Sequence, residues 1–115
     1  MKRFLLLLIG LAGWCCFNAY SLTYTGNLTL TTQSQVNNFN YDVVTGRLTI
    51  SGSGITNIDS IYKLDTVGNL QIESTNITQV NGLRNLKFVS GDGTGAGMYF
   101  WSDALLNDLS GLTNT

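Results

Sequence analysis

Residues 46–67 read GRLTISGSGITNIDSIYKLDTV and residues 68–89 read GNLQIESTNITQVNGLRNLKFV, so one pattern occurs twice in succession. Each copy begins with a glycine and two alternating apolar residues, which is typical of a strand with one buried face. Each copy then carries an isoleucine, leucine or valine at every third position, and these positions coincide when the two copies are aligned. Self-similarity at such a period is the signature of a solenoid built from stacked coils.

The same pattern extends toward the N-terminus. The segment Gly26-Asn27-Leu28-Thr29-Leu30 matches the first five residues of both copies, so a first coil is predicted to begin there. In the residues that follow, the spacing of three is lost. This irregularity is expected of a terminal coil, because it has a neighbour on one side only.

A fourth coil is predicted after residues 91–97, which form a glycine-rich insertion loop. When Leu112 is aligned with Leu83 of the second copy, the earlier core positions are filled by apolar residues: Leu109, Leu106, Trp101 and Tyr99. In this register Tyr99 and Trp101 point into the core, and the insertion absorbs seven residues.

Short strands separated by tight or 3-10 turns bury their apolar face only when they stack on one another into a parallel sheet. The sequence therefore predicts a mainly β repeat solenoid of about four coils, in which Leu48 stacks on Leu70 and Ile50 on Ile72. Each strand is expected to have about three to four residues. The glycine that opens each copy is expected at the corner before its strand, where a positive φ or a close backbone approach requires it.

Residues 1–21 have the features of a secretory signal peptide, so a single mature domain is predicted at residues 22–115. A basic pair precedes an apolar run, Phe4 to Phe17, which is shorter than the about 20 residues needed to span a bilayer. Small residues favour cleavage after Ser21, with cleavage after Ala19 as the alternative. An uncleaved anchor is the other interpretation of this run.

Both cysteines, Cys15 and Cys16, lie in this segment, and Trp14 does not fit the small residue that bacterial lipidation requires before the cysteine. The mature domain then contains no cysteine, and the whole chain contains no histidine. Nucleophilic triads and zinc sites built on these residues are excluded, and we expect no cofactor and no metal. After removal of Lys2 and Arg3 the mature domain has four basic and seven acidic residues. Its formal charge of −3 argues against nucleic acid as a partner.

Four residues are candidates for ligand contact, and no catalytic residue is predicted. Met98 and Phe100 lie on the outward side of the predicted fourth strand, where an aromatic ring can dock a sugar or a protein. Glu73 follows Ile72 directly and points outward, where a carboxylate would be needed if the domain acted on carbohydrate. Asp92 lies in the glycine-rich loop, where a single carboxylate is weak support for a calcium site.

The cadence Gly-x-Leu-x-Ile, followed by apolar residues at every third position, resembles the receptor L-domain. This leucine-rich-repeat-like solenoid occurs in growth-factor receptor ectodomains, fungal wall proteins and bacterial surface proteins. Residues 26–115 carry the resemblance. It implies a right-handed β-helix that is secreted or surface-exposed and binds without known catalytic residues. The family's disulfide-rich modules are missing, which favours the bacterial surface type, and no ligand-contact residue transfers because family members differ there.

The sequence thus predicts a non-enzymatic extracellular or cell-surface module that recognises or adheres to a protein or a glycan. A structural spacer within a larger secreted protein is the alternative, and a small carbohydrate-active β-helix is a weaker one. Neither nucleic acid binding nor a membrane span is expected of the mature domain. Because the pattern stops mid-coil soon after Leu112, the solenoid is expected to continue beyond Thr115.

Overall fold

A parallel sheet of six strands is the main element of the computed structural model, which describes residues 21–91, 93 and 95–112. The strands are β1 (Thr23–Tyr24), β2 (Leu28–Leu30), β3 (Val43–Ser51), β4 (Thr66–Glu73), β5 (Phe88–Val89) and β6 (Gly97–Trp101). The helices of this described part are α1 (Gln33–Asn37) and the 3-10 helices η1 (Asp59–Ile61), η2 (Asn81–Leu83) and η3 (Ser110–Leu112). The described chain is therefore mainly β with few helices, as predicted.

The predicted signal peptide and one predicted contact residue fall largely or wholly outside the described ranges. Residues 1–20 of the predicted signal peptide lie outside the described residues, and so does Asp92 of the glycine-rich loop. Within the described ranges, the longest helix is α1, and no helix has the length and hydrophobicity to cross a bilayer.

The inner face of the sheet carries rows of apolar side chains. Two rows span β2, β3, β4 and β6, and a further row contains Tyr24, Val44, Val67 and Val89. Parallel pairing aligns the first row, which contains Leu28, Leu48, Leu70 and Met98. The same pairing aligns the second row, which contains Leu30, Ile50, Ile72 and Phe100. The members that come from β3 and β4 are fully buried. Successive side chains of a strand alternate between its faces, so every second residue of these strands meets the core.

The segments that carry η1 and η2 close the other side of the core. Every third residue in these segments is fully buried: Ile55, Ile58, Ile61, Leu64, Ile77, Val80, Leu83 and Leu86. A 3-10 helix has about three residues per turn, so side chains three positions apart share one face. The spacing of three in the sequence therefore corresponds to one continuous apolar edge that packs against the sheet.

The register of β6 differs from the one predicted from the sequence. Met98 and Phe100, expected to point outward, continue the two inner rows and pack partly buried against the core. Tyr99 and Trp101, expected in the core, point outward and expose 51% and 68% of their surface. The predicted orientation of this strand was wrong by one residue, and a slip of one residue moves every side chain to the opposite face.

The slip originates in the turn that follows β6. Leu70 pairs with Met98 in the sheet, whereas Gln79 bridges Asp108 beyond the turn. Gln79 and Asp108 are one position farther apart in the sequence than Leu70 and Met98 are. The turn after β6 therefore holds one more residue than the turn after β4. The sequence prediction aligned Leu112 with Leu83 and counted back toward β6. It did not allow for the extra residue in the turn, so every position of β6 was shifted by one. The glycine-rich loop before β6 absorbs six residues, not the predicted seven.

Strands β3 and β4 are longer than expected, with nine and eight residues. Their additional length precedes Gly46 and Gly68, which lie inside the strands and not at corners. A Cβ atom on Gly68 would lie 2.5 Å from the carbonyl oxygen of Thr45 and 2.6 Å from that of Gly46. Close backbone approach therefore explains this glycine. The register of the pairing between β3 and β4 shifts at the same place, between Val44 and Arg47.

A capping box at Thr32 begins helix α1. The Thr32 hydroxyl accepts a hydrogen bond from the Gln35 backbone N–H at 3.2 Å, and the Gln35 side-chain oxygen accepts one from the Thr32 N–H at 3.3 Å. We expect Thr32→Ala to lower the free energy of unfolding by about 1 kcal/mol, because the Gln35 N–H loses its acceptor. Denaturant unfolding followed by circular dichroism measures the loss. Ser34→Ala, at an exposed position of the same helix, is the control, and an equal loss in both variants would contradict the capping role.

Candidate functional site

An open groove lies on the outer face of the sheet beside β6. It has a volume of about 230 Å³ and is lined by Arg47 of β3, Gln71 of β4, and Tyr99 and Trp101 of β6. Strand β4 pairs with β3 on one side and with β6 on the other. Parallel pairing therefore brings residues from three distant parts of the sequence to one surface.

Two exposed aromatic rings form one wall of the groove. In the pairing of β6 with β4, Tyr99 stands beside Gln71 and Trp101 stands beside Glu73. The two aromatic residues are two positions apart on one strand, so their Cα atoms are separated by about 7 Å. Both rings present a large apolar surface together with a polar tip, which suits a ligand that is itself partly polar.

The ring of Tyr99 lies across Gly97, the first residue of β6. A Cβ atom on Gly97 would stand 2.9 Å from the phenol oxygen of Tyr99 and 3.0 Å from its Cζ. Glycine at this position therefore makes room for the ring to rest on the strand. Because the neighbouring atoms belong to the far end of a side chain, any larger residue at position 97 would displace the ring while leaving the backbone in place.

A chain of hydrogen bonds crosses the sheet along the other wall. The Arg47 guanidinium donates from Nη1 to the Gln71 side-chain oxygen at 3.5 Å, and Gln71 donates from Nε2 to Oε1 of Glu73 at 2.7 Å. All three side chains are partly buried. These contacts orient the Gln71 amide and place a formal positive charge and a formal negative charge at opposite ends of the chain. Glu73 lies beside the lining and not in it, and with it the formal charges of the hydrogen-bonded chain sum to zero.

Asp103 holds the turn that leads out of β6. Its Oδ1 accepts hydrogen bonds from the backbone N–H of Thr75 at 3.0 Å and from the Thr75 hydroxyl at 2.7 Å. Thr75 is buried, with 2% of its surface exposed. This carboxylate therefore ties the end of β6 to the turn after β4 and supports the strand that presents the two aromatic rings.

Of the predicted contact residues that the structure describes, Glu73 lies beside the groove lining. It is on the outer face, beside Trp101 and at the end of the polar chain. Met98 and Phe100 were predicted on this face, but both belong to the inner rows and pack against the core. The fourth residue, Asp92, lies outside the described residues.

The sequence prediction missed all four residues that line the groove. A signal for the correct register was present, since Ala96-Gly97-Met98-Tyr99-Phe100 fits the cadence Gly-x-Leu-x-Ile if alanine replaces the first glycine. That match aligns Met98 with Leu70 and turns the two exposed rings outward, as the structure has them. The lining residues Arg47 and Gln71 carry no local signal, because only the pairing of strands brings them beside β6.

The carboxylates of the described chain do not gather into a metal site. No three aspartate, glutamate, histidine or cysteine side chains of the described residues come together in a way that could hold a metal ion. Asp108 is fully exposed, and the hydrogen bonds from the Ser110 backbone N–H and from the Ser110 hydroxyl hold the pKa of its carboxyl below the usual value. The bond from the Ser110 N–H measures 2.9 Å, so this carboxylate closes a turn at the start of η3.

Comparison with known proteins finds no family model, no curated protein and no solved structure that matches this chain.

Proposed function

We propose that the chain is a non-enzymatic, extracellular or cell-surface recognition module that binds its ligand in the groove on the outer face of the sheet. The observation that carries this proposal is the pair of exposed rings, Tyr99 and Trp101, beside the polar chain of Arg47, Gln71 and Glu73. The extracellular placement rests on the secretory features of residues 1–21.

Exposed aromatic rings at a groove are a reason to propose a ligand. Tryptophan, tyrosine and arginine are the side chains enriched where binding energy is concentrated. Trp101 is the most exposed large apolar residue of the described chain, and Tyr99, which is about half exposed, stands two positions from it on the same face. Burial of both rings against a ligand would remove apolar surface from water at little cost in side-chain entropy, since each ring has two rotatable bonds.

We further propose that the described elements form a right-handed solenoid of about four coils, of the leucine-rich-repeat-like receptor L-domain kind. Strand β3 pairs in parallel with β2, β4 with β3, and β6 with β4, so each strand lies beside one from an earlier part of the chain. Helices η1, η2 and η3 contact one another in succession, and α1 contacts η1. These contacts support a chain that returns to the sheet once in every coil, and such a scaffold is suited to the display of a binding face.

Trp101→Ala tests the proposed function. We expect this variant to lose at least about tenfold in affinity for whichever glycan or extracellular protein the wild-type chain binds on an array, because the larger of the two exposed rings is removed. Phe88→Ala is the matched control, since Phe88 is 63% exposed on β5 and does not line the groove. Circular dichroism confirms that both variants are folded.

Unchanged binding by Trp101→Ala, or an equal loss in both variants, would show that the groove is not the recognition surface. The alternative of a structural spacer would be favoured if the wild-type chain bound nothing on the array, because a spacer has no ligand of its own.

A further inference from the structure

We infer that the ligand of the groove is an uncharged polysaccharide whose successive sugar rings stack on Tyr99 and Trp101. This inference rests on the proposed function and names the class of ligand for the same site. Each ring of such a polymer has an apolar face of C–H groups and an edge of hydroxyl groups. The groove presents a matching surface for each, with aromatic rings on one wall and polar side chains on the other.

The aromatic wall fits the apolar faces of sugar rings. The C–H groups on the face of a pyranose carry small positive charges, and they are attracted to the negative face of an aromatic ring. Tyr99 lies across the glycine at position 97, so its ring follows the surface of the strand. Trp101 follows two positions later on the same face, at about 7 Å between Cα atoms. The two rings therefore form a platform that runs along β6 and suits adjacent units of an extended chain.

The polar wall fits the hydroxyl edge. Hydroxyl groups both donate and accept hydrogen bonds, so they pair best with a surface that offers both functions. The Arg47 guanidinium supplies donors, the Glu73 carboxylate supplies acceptors, and the Gln71 amide between them supplies both. The bonds that link these side chains hold them in place before a ligand arrives, which lowers the entropic cost of binding.

The charges of the groove favour an uncharged ligand. Arg47 is the charged residue of the lining, and the Glu73 carboxylate at the end of the hydrogen-bonded chain offsets it. An acidic polymer would therefore meet Glu73 beside the groove, and a basic polymer would meet Arg47, at a cost in either case. The aligned positions of the outer rows on β2 and β3 are uncharged, namely Thr29, Thr49 and Ser51. The surface around the groove therefore offers hydroxyl groups and no excess of either charge.

A protein ligand is less well matched to this face. A stable protein interface buries about 800 Å² on each partner and has an apolar centre surrounded by a polar rim. Here the apolar surface consists of two rings, and the adjoining outer rows carry threonine and serine. A narrow aromatic platform within a hydrophilic face suits a thin, hydroxyl-rich chain better than a broad apolar surface.

Isothermal titration calorimetry on the purified full chain tests the inference. The probes are two uncharged hexasaccharides, a β-1,4-glucan and its N-acetylglucosamine counterpart, and two acidic ones, a galacturonan and a heparin fragment. We expect an uncharged probe to bind, and a rise in salt from about 50 mM to about 500 mM to change its affinity by less than about twofold. Trp101→Ala should weaken binding at least about tenfold. Gly97→Ala should weaken it about threefold or more, because the new Cβ displaces the Tyr99 ring.

The control is again Phe88→Ala, which should bind like the wild-type chain. The Gly97→Ala variant keeps both aromatic residues, so its loss cannot be attributed to a missing ring. Tighter, salt-sensitive binding of an acidic probe would overturn the inference. Failure of all four saccharides, together with Trp101-dependent binding of an extracellular protein on the array, would also overturn it while leaving the proposed function intact. Saccharide binding that neither Trp101→Ala nor Gly97→Ala weakens would overturn both.

Discussion

Replacement of Leu70 by aspartate is expected to abolish cooperative folding. Leu70 is fully buried at the centre of the first inner row, between Leu48 of β3 and Met98 of β6. A carboxylate at this position would have no opposite charge and would also remove an apolar side chain that contacts both neighbours. The combined cost is about 5 kcal/mol or more, and ordinary domains have about 5–15 kcal/mol of total stability.

Circular dichroism and sedimentation velocity measure this outcome. We expect the Leu70→Asp variant to lose the β-sheet signal and to expand or aggregate. Thr49→Asp is the matched control, because Thr49 is on β3 in an outer row, one position from the inner row, and remains partly exposed. Its free energy of unfolding should change by about 1 kcal/mol or less. A folded Leu70→Asp variant with a sharp unfolding transition would contradict the inner position of this residue.

The second large effect is expected at Gly82 of η2. A Cβ atom on this buried glycine would collide with the carbonyl oxygen of Ile58 and would lie 2.6 Å from its carbonyl carbon and 3.2 Å from Cα of Asp59. These are backbone atoms of the neighbouring segment, so no rotation of a side chain relieves the collision. Gly111 makes the equivalent approach to Val80. Helices η1, η2 and η3 therefore pack at distances that only glycine permits.

We expect Gly82→Ala to lower the free energy of unfolding by about 3 kcal/mol, since overpacking at a backbone contact forces the segments apart. Urea denaturation followed by circular dichroism measures the loss. Gly54→Ala is the control, because no atom lies within 4 Å of a Cβ at that position and its φ is not positive. That substitution should leave stability unchanged or raise it by up to about 1 kcal/mol. Equal denaturation midpoints for the two variants would show that the segments separate at little cost.

The pairing of β3 with β4 follows from the sequence with no further information. The two copies have equal length, so the period that they define aligns Leu48 with Leu70 and Ile50 with Ile72, and the structure confirms both pairs. The apolar spacing of three likewise locates the buried edge of the helical side. Both features are repeated local patterns, and the burial of apolar surface selects one arrangement that satisfies them all.

Such repeated patterns do not determine the lengths of the connecting segments. Loop closure has a free energy that changes slowly with length, so one additional residue in the turn after β6 is tolerated and leaves no apolar signal. The sequence prediction therefore placed Glu73 correctly on the outer face and placed Met98 and Phe100 there wrongly. An error of one residue in the length of a turn was enough to place the core side chains of β6 on the outer face and its groove-lining side chains in the core.

The sequence by itself thus establishes a mainly β chain with a parallel sheet and the inner rows of its central strands. Strand β6 shows why the sequence does not determine the orientation of the remaining strand. Met98 with Phe100, and Tyr99 with Trp101, are both alternating apolar pairs, and either pair would satisfy a rule that asks only for hydrophobic residues inside. Contact with Leu70 and Ile72 in the folded sheet takes the first pair into the core. The second pair is left outside, next to Arg47 and Gln71, because strand pairing joins residues that no local pattern connects.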